Sequence, residues 1–190
     1  MKKIAAVILL IVLVAGCGFS GNPWGSNAAS NRIAAKTSTY LAKKYQMSIG
    51  GKGGQIIDGK VKEISVLFIR QKGPVSLEEG RKMIVDCVEE FISAYNSNPR
   101  VRPFLYNSPF GPKNFSISII YYNENLGEIF FPDITVFSAS RGEVGYCTND
   151  PEKEFGYKTE VYEPYEEALA LARGGSEKES GSLLDRTDGE

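Results

Sequence analysis

The chain contains no histidine in 190 residues. Triads with a histidine base, histidine proton relays and most catalytic zinc sites are therefore excluded within it. It also lacks a surplus of positive charge: 22 basic residues stand against 23 acidic ones, so composition points neither to nucleic acid nor to an anionic lipid surface. Serine chemistry lacks its usual frame, because residues 18–190 contain no Gly-x-Ser-x-Gly elbow and no Ser-x-x-Lys pair. Tryptophan occurs once, at Trp24, and cysteine three times, at Cys17, Cys87 and Cys147.

The N-terminus is more informative. Lys2 and Lys3 precede an uncharged apolar run, Ile4–Ala15, that stops at Gly16-Cys17. At about 1.5 Å per residue twelve residues make a helix of roughly 18 Å, short of the ~30 Å hydrocarbon core of a bilayer. A positive start, a short apolar core and small residues before a cut site describe a secretory signal peptide. The sequence Val14-Ala15-Gly16-Cys17 resembles the lipobox of bacterial lipoproteins, an aliphatic residue and two small ones before cysteine. Val14 stands where leucine is commonest in that family. The resemblance covers residues 1–17 only. It implies removal of residues 1–16, lipidation of Cys17 by diacylglyceryl and a further acyl chain such as palmitate, and attachment to an extracytoplasmic membrane surface. Two or three chains, at about 0.8 kcal/mol per buried methylene, make release negligible. Gly18, rather than the aspartate that retains such lipoproteins at an inner membrane, implies the outer membrane where a cell has one.

Removal of Lys2 and Lys3 with the signal takes the formal charge from −1 to −3. Residues 17–29, rich in Gly, Asn and Ser, read as a flexible tether. Residues 30–173 are enough for one domain with a proper core. Residues 174–190 carry five acids and two bases among Gly and Ser, a composition that predicts disorder.

Within the domain, apolar residues at helical spacing predict a helix over 30–45, capped by Ser30 or Asn31. Asp58-Gly59 between apolar runs predicts a hairpin with strands at about 46–57 and 60–70. The clearest helix follows, where Ser76 and Glu79 form a capping box and Leu77, Gly80, Ile84, Cys87, Val88, Phe91, Ile92 and Tyr95 share one face. After a Pro- and aromatic-rich connection, 115–123, 127–140 and 143–150 alternate as strands. A last extended stretch precedes a short helix that starts at Pro164 and ends at Gly174. The order helix, hairpin, helix, strands predicts the α+β class: an antiparallel sheet with two main helices packed on one face.

Candidate sites are few. Gly50-Gly51-Lys52-Gly53-Gly54 suggests a phosphate cradle, but the spacing fits neither a Walker loop nor a dinucleotide fingerprint, and a hairpin follows rather than a helix. Bulge-forming or crowding-relief glycines are the plainer reading. With Cys17 lipidated, Cys87 and Cys147 are left as a candidate disulfide pair in an oxidising compartment. The competing reading keeps Cys87 as a buried free thiol on a helix face. Carboxylate catalysis would draw on Glu89, Glu90, Glu124, Glu128, Asp133 or Glu143. Phe104, Tyr106 and Phe110, among three prolines, form a candidate partner or glycan surface, set against a loop whose aromatics cap the core. The expectation is a lipid-anchored envelope protein that binds or supports a partner, with no cofactor, metal or nucleic acid. An envelope glycan hydrolase and an accessory subunit of an envelope complex are the rivals.

Overall fold

The computed structural model describes residues 28–154 and 156–174. The signal peptide, Cys17, Trp24 and the tail at 175–190 lie outside the described residues. The chain order is α1 (Ala28–Lys44), β1 (Ser48–Ile57), β2 (Lys60–Gln71), α2 (Leu77–Asn96), β3 (Phe115–Tyr122), β4 (Val136–Ser140), β5 (Glu143–Asn149), β6 (Tyr157–Pro164) and α3 (Tyr165–Ala172). The class is α+β: six strands form one open sheet in sequence order, with three helices. The tether expected to reach residue 29 ends earlier, since Ala28 and Ala29 already belong to α1.

Every neighbouring strand pair is antiparallel except β2 and β3, which run parallel from Ile64–Phe115 to Gln71–Tyr122. The purely antiparallel sheet expected from the sequence is corrected on this point. Helix α2 and the connection 97–114 carry the chain back to the end from which β2 started, so β3 leaves in the same direction.

Local chemistry explains the elements. Asp58 and Gly59 take φ of 50° and 73°, the left-handed pair that a two-residue hairpin turn requires. Arg141 and Gly142, at 57° and 87°, join β4 to β5 the same way. Ser76 Oγ accepts from the Glu79 N–H at 3.1 Å and caps α2. Ser30 is no cap: it sits inside α1, 1% exposed, with its Oγ 3.0 Å from Tyr95 Oη. Residues 127–135 are not strand either. Ile129 and Ile134 drop into the core, at 3% and 6% exposure, and between them Phe130 and Phe131 are turned outward. Pro132, which lacks a backbone donor, sits in that reversal.

The core lies on one side of the sheet. Ile64, Val66 and Phe68 of β2, the odd residues Phe115–Tyr121 of β3, Phe137 of β4 and Val144 and Tyr146 of β5 form a single cluster with Leu41 of α1, Ile84, Val88 and Phe91 of α2 and Ala168 of α3. A bulge beside Lys62 turns both Val61 and Ile64 inward. Alternation sends the intervening residues, Leu67, Ile69, Ser118, Ile120, Ser138 and Cys147, to the other face. None of these belongs to the core cluster.

Helix α2 lies tight against the sheet at Gly80, where an added Cβ would lie 2.1 Å from the Phe137 ring. Gly80→Ala is expected to destabilise the fold by about 1–3 kcal/mol through overpacking, overriding the gain of about 1 kcal/mol in helix propensity. Urea unfolding of the two proteins measures it, and a variant more stable than the parent would contradict this packing.

Candidate functional site

Four features compete for a functional role: the glycine-rich strand, a buried ionic cluster, the surface clefts and the exposed aromatics. The glycines lie on β1, an edge strand paired only with β2. Gly50 occupies a bulge between Ile49 and Gly51, where a Cβ would press on Leu67 and Ile69 at 3.0–3.2 Å. Crowding relief explains Gly50, while Gly51 faces open space. No helix N-terminus follows to complete a phosphate cradle, since β1 runs into the Asp58-Gly59 turn and β2.

Arg81, Tyr146 and Glu163 meet between α2 and the last two strands, each at most 4% exposed. Arg81 Nε donates to Glu163 Oε1 at 2.8 Å, Nη2 donates to Oε2 at 3.3 Å, and the Tyr146 hydroxyl donates to Glu163 Oε1. Burial, then the bond to Glu163, pushes the Tyr146 hydroxyl up from its ordinary value. A sealed, mutually satisfied set of this kind offers nothing to a substrate, and its role is to fix α2 against the far edge of the sheet.

Cys87 and Cys147 are free thiols. Cys87 is part of the core cluster, whereas Cys147 opposes Val136 and Glu160 on the other face of the sheet. Sheet and core therefore separate the candidate disulfide partners. Burial pushes the Cys87 thiol upward and Cys147 up to about 11, which makes both poor nucleophiles at neutral pH.

Several clefts are lined by polar groups. One, of about 650 Å³, lies between α1 and the end of α2 and is lined by Lys36, Tyr40, Glu90, Ser93, Asn98 and Arg100 among others. A second, of about 310 Å³, includes Lys44, Arg70, Glu79 and Lys82. A third, of about 250 Å³, opens on the sheet face away from the helices, with Ile120, Tyr122, Phe130, Val136 and Tyr157 beside Glu128 and Asp150. Of the carboxylates singled out in the sequence, Glu89 accepts from Tyr165 Oη and Arg173, Glu90 pairs with Lys44, Glu124 and Asp133 are exposed on the β3–β4 loop, and Glu143 is exposed at the start of β5. Only Glu128 lines a cleft with another acid, Asp150. The backbone N–H of Glu152, bonded to Asp150 Oδ1 at 3.0 Å, is the main cause holding that carboxyl below its usual range, with Lys153 adding to it. A glycosidase needs one carboxyl raised to serve as acid and a second kept ionised, and Asp150, held low, fits only the second role. Among the described residues no group of three or more His, Cys, Asp or Glu is placed to hold a metal.

The predicted aromatic surface divides. Phe104 and Tyr106 are exposed, but Phe110 is buried, stacked on Tyr95 at 5.7 Å and edge-on to Phe115. Asn96 clamps its backbone, with Oδ1 accepting and Nδ2 donating at 2.8 Å each. The core-capping reading is correct for Phe110, which leaves the candidate surface. A larger apolar display was missed: Leu126, Phe130 and Phe131 on the β3–β4 loop are exposed, with Tyr157 exposed on β6. Its signal lay in Phe130-Phe131-Pro132-Asp133 following the turn at Asn123–Gly127, and reading 127–140 as one strand concealed it.

No family model, no curated protein and no solved structure matches the chain. Among the described residues no helix is long and apolar enough to cross a membrane.

Two measurements check this geometry. Arg81→Met alone should cost about 3–5 kcal/mol by stranding Glu163, whereas Arg81→Met combined with Glu163→Leu should recover most of that loss; a double variant no more stable than the single one would contradict the sealed pair. Alkylation should leave Cys87 and Cys147 unmodified in the native protein and label both in denaturant without reductant, as read by intact mass.

Proposed function

We propose that this is a lipid-anchored cell-envelope protein, held through Cys17, whose domain is a non-catalytic binding module for another envelope protein. The observation that carries the binding role is the uncovered sheet face. In this reading the two main helices, α1 and α2, back the sheet with α3 and leave its front to the partner. Across that front, Gly51, Leu67, Ser118, Ser138, Gly145 and Tyr162 follow one another in register from β1 to β6. Glycine and serine keep the middle of that row low, Tyr162 closes it at the β6 edge, and Phe130, Phe131 and Tyr157 add exposed aromatic area at the strand ends. Exposed aromatics beside a flat, partly apolar face are the material of protein–protein contact.

The anchor rests on the lipobox resemblance, with outer-membrane attachment favoured by Gly18 where the cell has that membrane. The alternative is an envelope glycan hydrolase. Its support is the cleft that places aromatics beside Glu128 and Asp150, since sugars stack on aromatic rings and two carboxyls can cleave glycosides. An accessory subunit of an envelope complex is a special case of the binding reading.

Photo-crosslinking from position 131 of the full chain in intact cells is expected to trap one defined envelope protein, with Phe130→Ser plus Tyr157→Ser reducing the yield at least severalfold. Incubation of the same protein with cell-wall fragments is expected to give no turnover. Turnover abolished by Glu128→Gln or Asp150→Asn would overturn the binding reading in favour of the hydrolase. Replacement of Cys17 by Ser should raise aqueous partitioning and remove the lipid mass; a parent chain that already lacks that mass would overturn the anchor.

A further inference from the structure

The net negative charge of the chain conceals a strongly basic end. Ser30 contacts Tyr95, the penultimate residue of α2, so α1 begins beside the end of α2. There Arg32, Lys36 and Arg100 line one cleft with Ala29. The chain continues through Arg102, whose guanidinium donates to the Asn96 carbonyl at 2.8 Å, to Tyr106, whose N–H donates to the Val61 carbonyl at 2.8 Å. Asn114 binds the Lys62 carbonyl at 3.0 Å, and the neighbouring Lys113 stem lies against Gly142. These cations come from α1, β2 and the 97–114 connection, and all six are exposed. Exposed Phe104 and Tyr106 lie among them. The acids at this end are Asp58, Glu63, Glu143 and, in the first turn of α3 where Tyr165 N–H donates to the Gly142 carbonyl, Glu166 and Glu167, still fewer than the cations, to which Lys60 and Arg141 of the two hairpin turns add.

The loops at the opposite end carry the reverse sign. Glu124, Glu128 and Asp133 lie on the β3–β4 loop, and Asp150, Glu152 and Glu154 follow β5, with Lys153 and Lys158 beside them. On the helix side of that end Lys44, Arg70 and Lys82 line a cleft with Glu79, so the acidic pole is the loop corner and not the whole end. The domain is thus positive at one end and negative at the loop corner of the other. Its positive pole is the end where α1 begins at Ala28, eleven residues after Cys17. Fully extended, that stretch reaches at most about 40 Å.

We propose that the basic end, with Phe104 and Tyr106, rests on the anionic lipid surface of the membrane that holds the anchor, so that the aromatic end of the sheet is presented outward. This rests on the lipidation of Cys17. Charge complementarity identifies the occupant: cations near an anionic leaflet each strengthen attachment severalfold, and aromatic rings suit the headgroup boundary. Attachment by the tether keeps the surface within reach, so a weak patch is enough to orient the domain. The acidic pole is repelled from the same lipids.

The test uses the processed full-length protein in vesicles of phosphatidylcholine, with and without phosphatidylglycerol, carrying a headgroup-attached quencher. A fluorophore is placed on Tyr106→Cys or, at the other pole, on Glu124→Cys; buried Cys87 and Cys147 escape native labelling. Phosphatidylglycerol is expected to quench the label at 106 several times more strongly than the label at 124. Lys36→Glu with Arg100→Glu should abolish the difference, as should high salt. Lys36→Gln with Arg100→Gln should halve it or better, and serves if the reversed charges unfold the domain. Equal quenching at the two positions, or quenching at 106 indifferent to phosphatidylglycerol, overturns the proposal while leaving the anchor intact. An intact mass without lipid on Cys17 overturns the anchor and this proposal together.

Discussion

Strands β2 and β3 pair in parallel over eight residues, from Ile64 to Gln71 and from Phe115 to Tyr122, and a parallel pair cannot be closed by a tight turn. The chain must travel the length of the sheet and return, which here takes residues 72–114. Helix α2 makes that journey and is held to the sheet face by Ile84, Cys87, Val88 and Phe91, all at 0% exposure. The rest of the arrangement follows from it. The hairpin β1–β2 extends one edge, the antiparallel run β3–β6 extends the other, and the return segment 97–114 collects its arginines and aromatics at a single end. Remove the parallel pairing and the hairpin loses its only attachment to the remaining strands.

Because the core is one-sided, the two sheet faces obey different rules. The inner face is packed to the point where Gly80 tolerates no side chain against Phe137. It is closed near the β6 edge by the Arg81–Glu163 pair, whose charges are acceptable only because each satisfies the other and Tyr146 shares the carboxylate. The outer face has no such demand, so glycine, serine and single apolar residues alternate there. That freedom makes it available for contact. A reactive carboxyl needs surroundings that enclose it and alter its proton affinity; Asp150, the acid closest to that condition, is instead tied into its own turn.

Where local chemistry decides, the sequence was legible. Asp58-Gly59 and the Ser76 cap act within a few residues, and the hairpin and α2 fall where those signals place them, to within one or two positions. Legibility failed where long-range packing decided. Ser30 looked like a cap because capping is its commonest helical use, yet Tyr95, 65 positions away, takes its hydroxyl. Residues 127–135 alternated like a strand, but Ile129 and Ile134 serve as two pegs of a loop, and the period between them means nothing. Phe110 and Phe104 were indistinguishable in a Pro-rich stretch, and only the clamp from Asn96 selects the one that turns inward. Arg81 lay in plain view within the apolar stripe of α2, a charged residue where none belongs, and its partner on β6 could not be found without the fold.

The same distinction governs charge. Summed along the chain, acids and bases nearly cancel, and the sum excludes a basic surface only if the charges are mixed in space. The fold mixes them only in part. Cations from α1, β2 and the 97–114 connection converge because α1 starts where α2 ends and because Tyr106 bonds to β2 beside the hairpin turn. Acids before β4 and after β5 collect at the other pole because β4 starts and β5 ends there. A net charge is a statement about long distances, several Debye lengths away, whereas a surface a few ångströms from a lipid headgroup sees only the nearest pole. For a domain held at its positive pole, as proposed, it is that local charge, and not the total, that would set orientation.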